Sequence, residues 1–454
     1  MKTISCVAAT LVACLGSEAS AQARVSFPDR ICDVRTYGAK GTRVFLDTDA
    51  FQRAIDDCAA KGGGTVNVPR GEYLIAPIFL RSNIRLHLAP WSELVGITDT
   101  GPYKVTRATQ AYVTNADWIA LINIADADNV AITGKGRIDG QGASWWDRWR
   151  EQARAAKSGG GTNRPRLVHA ARSRNLLFDG IGLYNSPSFH LVVKDSENVT
   201  VSNMRFVALA HSPNTDAIDP IDTRNMLITG NFFDVGDDVV AIKSLKPNPA
   251  RPGAAVENIV IRGNKGLAGR GICIGSETIG GVRNVIVEDN ELTGAMYGIR
   301  IKTPRGRGGL VQDIVFRNNR MTDVETPMVF SAYYEGAGYD ETAVANRLAQ
   351  GGFVLGHQIY PPETDPVQPY KPGSTPWIRN VRVEGLTATG ADRAGIVVGL
   401  PERGIEGLTF RDVRIKSRRG LLVRHARVDA RGLRIDASDR RPLVRERGGE
   451  VTRP

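Results

Sequence analysis

The chain has 454 residues, 42% of them hydrophobic, with 49 glycines and a formal net charge of +11. That apolar content is ordinary for a folded protein, and past the N-terminus no stretch is apolar for long enough to span a bilayer. Excess positive charge suits a polyanionic partner; with no recognisable DNA- or RNA-binding module, nucleic acid is set aside in favour of an acidic polysaccharide.

The first residues read as an export signal. Lys2 supplies a positive start, Ile4 to Leu15 is a short apolar run, and Ala19-Ser20-Ala21 offers small residues for cleavage. Residues 1–21 are therefore expected to be a signal peptide and the mature protein to be secreted or periplasmic. Alternatives are cleavage after Ala23, a lipoprotein anchor at Cys14 in Leu11-Val12-Ala13-Cys14, or a core helix. Cleavage removes Lys2 and Glu18, so the net charge is unchanged. An oxidising compartment permits a disulfide, and Cys32 with Cys58 is the expected pair, leaving Cys273 as a buried thiol in an apolar strand.

Residues 24–90 are expected to form an N-terminal cap and the first coils of a longer array. Ile31 to Tyr37 reads as a strand and Gly38 to Gly41 as a turn. Asp47 to Asp49 can cap a helix whose apolar positions Phe51, Ala54, Ile55 and Cys58 follow helical spacing. Gly62-Gly63-Gly64 ends it, and Thr65 to Pro69 begins a series of strands. A short helix at the mouth of a solenoid is the form a capping element takes.

From about residue 120 a theme recurs: a polar residue, mostly Asn, then alternating apolar residues, then a turn. It is seen at Asn129, Asn175, Asn198, Asn225, Asn258, Asn284, Asp313 and Asn380, with separations of 23, 27, 33, 26 and 29 residues from Asn175 to Asp313. Periods of this size signal a solenoid. Val- and Ile-rich runs with period two are strands, and the recurring Leu and helix of leucine-rich repeats are absent. The predicted fold is all-β: a right-handed parallel β-helix over residues 24–454, with a short N-terminal capping helix. Residues 144 to 166, carrying Trp145, Trp146 and Trp149, break the rhythm, as does an inserted loop at 331–376 with Tyr333, Tyr334, Tyr360 and Tyr370. Aromatics there either stack on sugar rings or pack the loops onto the coils.

The chemistry concentrates between residues 211 and 302. Asp216 lies 21 residues before Asp237, close to one coil, so Asp216, Asp237 and Asp238 are expected on one face of adjacent coils. Arg270, Arg300 and Lys302 fall on the coils that follow. Glycoside cleavage needs one carboxylic acid to protonate the leaving oxygen and one carboxylate to activate water. Crowded carboxylates raise one another's pKa, and nearby cations can hold a uronate.

These motifs resemble glycoside hydrolase family 28, the polygalacturonase family. Asn214-Thr215-Asp216, Gly236-Asp237-Asp238 and Arg300-Ile301-Lys302 match three of its four signatures, in order. Asp33-Val34-Arg35, Tyr37 to Lys40, Ile138 to Gly142 and Asn185-Ser186-Pro187 extend the resemblance over most of the chain. It implies an inverting hydrolase of galacturonate-type linkages in pectin or a related acidic polysaccharide, needing no metal or other cofactor; separately, a monomer is expected. It also implies that Asp237 is the general acid, and that Asp216 and Asp238 position and deprotonate water. Arg300 and Lys302 would bind the substrate carboxylate, and Asn214 would orient its neighbours. Where the family has Gly-His-Gly this chain has Gly269-Arg270-Gly271. Arg270 is expected either to bind an extra anionic group or to pair with an aspartate. Rhamnogalacturonan or another acidic glycan is the alternative substrate. A non-catalytic polysaccharide-binding β-helix, or a calcium-dependent lyase with an arginine base, are the alternative functions.

Overall fold

A computed structural model describes residues 25–452, apart from 114–116, 156–162, 251–253, 335–344, 346–347, 352, 356–357 and 363. The expected signal segment 1–21 and Cys14 lie outside the described residues. No helix among the described residues is long and apolar enough to cross a membrane.

Each coil contributes three short strands to three parallel ladders, wound as the right-handed β-helix that the sequence predicted. In one coil these are Arg174–Asp179, Gly182–Tyr184 and Leu191–Lys194. They pair in register with Glu197–Ser202, Arg205–Val207 and Ile218–Ile221 of the next. Alternation sends Leu176, Phe178, Leu183, Leu191 and Val193 inward, and the same positions of each coil form one continuous apolar core. Two of the ladders fuse where the 12-residue strands Thr387–Val398 and Val413–Arg424 run through both.

The recurring asparagines stand at the second or third residue of one strand in each coil. Asn175, Asn198, Asn225, Asn258 and Asn284 all have φ between 52 and 58°, a left-handed conformation that Asn tolerates better than most residues. Their amides bond from coil to coil: Asn198 to Asn175, Asn225 to Asn198, Asn258 to Asn225 and Asn284 to Asn258, at 2.6–3.3 Å. A second, fully buried ladder runs through Asn231, Asn264, Asn290 and Asn319. Each of these also donates to a strand carbonyl, from Val201 to Val287. Outside, charge alternates along the stack, with Arg174 on Asp128, Arg224 on Glu197 and Arg283 on Glu257.

The N-terminal cap is the helix Thr48–Ala60, which turns Phe51, Ala54, Ile55 and Cys58 onto the first coil. Cys58 is disulfide-bonded to Cys32 as expected, and Cys273 is a free buried thiol. Asp47 precedes the helix, but its side chain does not cap it. It accepts from the amides of Lys40 and Gly41 instead, fixing the preceding turn.

The break after residue 141 is partly helical, Gly142–Ala155. Trp145 and Trp146 are buried there: Trp146 donates to Ser186 O at 3.1 Å, and Trp145 packs edge-on to Tyr103 and Trp118. Packing, not sugar stacking, is the role of those two indoles. The second insertion separates Thr326–Ser331 from Trp377–Glu384 and holds a small antiparallel pair, Phe353–Leu355 with Gln358–Tyr360. Arg305 ties it down through Asp365 and Glu402, and Tyr333 donates to Asp365.

The two asparagine ladders predict unequal costs. Asn264→Ala strips a buried rung whose neighbours have no water to turn to, and is expected to destabilise by roughly 2–4 kcal/mol. Asn258→Gly on the exposed ladder, where glycine keeps the left-handed conformation, is expected to cost below about 1 kcal/mol. Thermal and denaturant unfolding of both variants checks the difference.

Candidate active site

Register assembles the site. Ile218, Val240, Ile272 and Ile299 are successive partners in one ladder. Asp216, Asp238 and Arg270 each stand two residues before three of those positions, at the corner where the ladder begins. The backbone interlocks there: Ala217 N donates to Asp238 O, Arg270 N to Asp237 O and Val239 N to Gly271 O, at 2.9–3.0 Å. Thr215 Oγ1 accepts from Gly236 N and bonds Ser212, joining the two aspartate turns. Both glycines around Arg270 have positive φ, and a Cβ on Gly271 would lie 2.2 Å from Gly298 O. The tight turn that brings Arg270 beside Asp237 therefore requires glycine at position 271.

One carboxylate oxygen from each of Asp216, Asp237 and Asp238 lies within 4.8 Å of the other two, and all three residues are buried. Each is met by a cation. Lys302 Nζ is 2.6 Å from Asp238 Oδ2, and Arg300 Nη1 is 3.9 Å from Asp238 Oδ1. Arg270 Nη1 is 3.2 Å from Asp237 Oδ2. Lys243, which sequence reasoning missed, places Nζ 2.8 Å from Asp219 Oδ1 and 3.8 Å from Asp216 Oδ2. Four carboxylates thus face four cations at these distances, and the charges of the buried Arg164 and Arg166 act on Asp216 as well. Tyr334 lies over the pair Arg300 and Lys302, with its ring centroid 5.7 and 5.1 Å away.

Burial dominates the proton affinities. It pushes Asp216 well above the usual carboxylate range, and the charges of Asp237 and Asp219 add to the effect. Asp238 is as deeply buried, yet Lys302, Arg300 and Lys243 outweigh that penalty and hold it below the usual range. Burial likewise opposes a charge on Lys243, but Asp219, Asp216 and Asp238 more than offset it and keep the amine protonated. Two carboxylates of one cluster are thereby driven apart, the condition under which one holds a proton while the other stays ionised.

Six of the seven residues singled out from the sequence come together: Asp216, Asp237, Asp238, Arg270, Arg300 and Lys302. Arg270 takes the second of its expected roles by pairing with Asp237, and Arg300 and Lys302 both sit against Asp238. Among the four cations Arg270 is the most open, its side chain 24% exposed against 3% for Arg300 and 6% for Lys302. Asn214 stands exposed at the rim, its Oδ1 accepting from Arg164 Nη2 at 3.0 Å. Arg164 and Arg166 also went unread. Both are buried, and burial lowers each to about 10. Period-two counting from Ile218 and Val240 would have placed Asp219 and Lys243 on the outward face; nothing local marks the two arginines.

The three close carboxylates could in principle chelate a divalent cation. Arg270, Arg300, Lys302 and Lys243 already fill that electrostatic role, and a metal ion would have to enter among four positive charges. The residue set does not fit one.

The sequence model of glycosyl hydrolases family 28 matches residues 58–347. An endo-polygalacturonase of Pectobacterium carotovorum subsp. carotovorum is 32% identical over 302 residues, covering 63% of this chain and 72% of its own length. The crystal structure of a hyperthermoactive exopolygalacturonase from Thermotoga maritima superposes with a TM-score of 0.72 at 28% identity, covering 90% of this chain and 92% of that one. The polygalacturonase of Erwinia carotovora ssp. carotovora gives 0.69 at 25% identity, covering 89% and 98%.

The raised affinity of Asp216 has a consequence for stability. The folded state holds that proton more tightly than the unfolded chain, so stability is lost as pH rises from about 3.9 through the raised value. Asn at this position cannot ionise. Asp216→Asn is therefore expected to melt higher than wild type at pH 8, with the gap closing toward pH 4. Melting temperatures across that range test it; a gap independent of pH would refute the assignment.

Proposed function

The chain belongs to glycosyl hydrolases family 28, and from that membership we propose that it hydrolyses galacturonate-type linkages in pectin or a related acidic polysaccharide. It is a pectin-degrading glycoside hydrolase. The observation that carries the finer reading is the cluster of three crowded carboxylates ringed by four cations.

Asp237 is the proton donor to the departing oxygen. Its side chain is the most open of the trio, 10% exposed against 6% for Asp216 and 2% for Asp238, so it can reach a bound glycosidic oxygen. Asp216, its proton affinity raised by burial, has the basicity to take a proton from water, and Asp238, kept ionised by Lys302 and Arg300, orients that water. Arg270, the accessible cation, holds the uronate carboxylate of the sugar. If Asp216 rather than Asp237 keeps the proton, three carboxylates still face four cations, and the surplus positive charge favours an anionic substrate. The Cys32–Cys58 bridge supports action in an oxidising, extracytoplasmic compartment.

Reducing ends released from polygalacturonate test the reaction, with rhamnogalacturonan alongside. Asp237→Asn is expected to lower turnover by roughly 10²–10⁴-fold, and a chelator is expected to leave wild-type activity unchanged. Product should carry no ultraviolet absorbance from a double bond. Release from neither polymer would sink the hydrolase reading. Proton NMR of the first-formed anomer settles stereochemistry: inversion is expected. Retention would turn one aspartate into a nucleophile, as oxygens within 4.8 Å lie nearer than the roughly 6.5–9.5 Å usual for inverting pairs.

Arg270 is tested separately. Arg270→Ala is expected to reduce kcat/KM on galacturonate oligomers by roughly 10- to 100-fold, the worth of a charge-assisted hydrogen bond of about 1.5–3 kcal/mol. Arg270→His should recover part of that loss below about pH 6.5, where the imidazole is charged.

A further inference from the structure

A second groove, of about 690 Å³, lies on a different ladder from the aspartates, in the coils that lead up to them. Its floor is built in register: Glu72, Glu93, Arg137, Gly182 and Arg205 are successive partners across five coils. Strands stacked about 4.8 Å apart thus present one polar column to solvent.

Charge on this floor does not balance. Arg137 is paired with Glu93 at 2.7 Å, and Arg43 with Glu72 at 3.4 Å, so the two acids are neutralised. Arg70 and Lys135 line the same groove, are exposed, and have no ion pair among the described residues. Arg205 is also exposed, its guanidinium over the Phe232 ring. Three cations are left over.

Two aromatics stand among them. Trp91 is 81% exposed and has φ 65°, a conformation that bulky residues rarely adopt. Local strain of this kind persists where the surrounding structure enforces it and clusters at ligand sites. Here Trp91 O accepts from Gly71 N, which ties its turn to the previous coil. Tyr184 lies across Gly182: a Cβ there would meet the ring at 2.4 Å, so glycine leaves the phenol room to lie along the groove. An exposed indole and a half-buried phenol supply flat apolar faces, and the surplus cations supply charge.

We propose that this groove is a second, non-catalytic binding site for a uronate-containing polysaccharide, with Trp91 and Tyr184 stacking on sugar rings and Arg70, Lys135 and Arg205 pairing with carboxylates. It rests on the proposed substrate class and extends it to a site outside the catalytic cluster. Its effect is to hold polymer near the active site, raising the effective concentration of long chains but not of short ones.

Two independent variants of the full chain test it: Trp91→Ala, and Arg70→Glu with Lys135→Glu. Both alter exposed side chains, and unchanged melting temperatures verify folding. In an Asp237→Asn background, migration through gels containing polygalacturonate is measured. Each variant is expected to weaken retardation by about threefold or more, the charge variant losing its difference from the parent at high salt. With Asp237 intact, hydrolysis of a trigalacturonate should be unchanged while that of the polymer slows. Retardation and polymer hydrolysis unaltered by both variants would overturn the proposal. Absence of reducing-end release by wild type would instead overturn the hydrolase reading, whereas Trp91-dependent retardation would still uphold the groove.

Discussion

The parallel register between coils is the constraint from which the rest of this molecule follows. A residue in any strand lies about 4.8 Å from the residue at the same position one coil earlier and one coil later. Whatever a sequence places at a coil position must therefore tolerate its own kind as a neighbour. Apolar residues tolerate it by forming the core, and asparagines by donating to the next amide. Along one outer column arginines and glutamates do so by alternating, as Arg224 on Glu197 and Arg283 on Glu257 do. The aspartate corner departs from that pattern. Asp216 and Asp238 occupy equivalent positions of adjacent coils, so like charges stack there with both residues buried, whereas Glu72, stacked on Glu93, is exposed.

That departure made the site legible. Once the period was recognised, Asp216, Asp237, Asp238, Arg270, Arg300 and Lys302 could be placed on consecutive coils without any structure, because in a solenoid sequence distance converts directly into stacking. The outer asparagine ladder was legible for the same reason. Asp219 and Lys243 carried a weaker form of the signal. They sit inside short, largely apolar strands, and a charged residue in such a strand reads as solvent-facing until its neighbour across the ladder is counted.

What remained hidden was what register does not govern. Arg164 reaches Asn214 from a segment 50 residues earlier in the chain, and no periodicity predicts where an insertion lands. The helix Gly142–Ala155 lies in a segment that shows in the sequence only as a break in the strand rhythm. Whether Arg270 would meet an aspartate or point outward was equally undetermined. Its two glycines allow a turn tight enough to fold the guanidinium back on Asp237, but they do not require it.

The substitution of arginine for histidine beside Asp237 is best understood through charge conservation in a buried cluster. Four carboxylates shielded from water are tolerable only if positive charge is supplied locally. Histidine supplies it conditionally, as pH falls through its pKa; arginine supplies it always. Arg270, Arg300, Lys302 and Lys243 match four ionised aspartates, and the buried Arg164 and Arg166, whose charges also act on Asp216, leave the cluster positive. Burial, which raises the proton affinity of Asp216, adds to that surplus and makes the site attractive to an anion. Acid chemistry and selection of an acidic sugar become one electrostatic property, since the proton the reaction needs is also what leaves a cation available to the substrate. The same surplus of positive over negative charge recurs in the groove beside Trp91, where Arg70 and Lys135 have no ion pair among the described residues. There the buried carboxylate of Glu93 is already paired with Arg137, and the excess can serve binding alone.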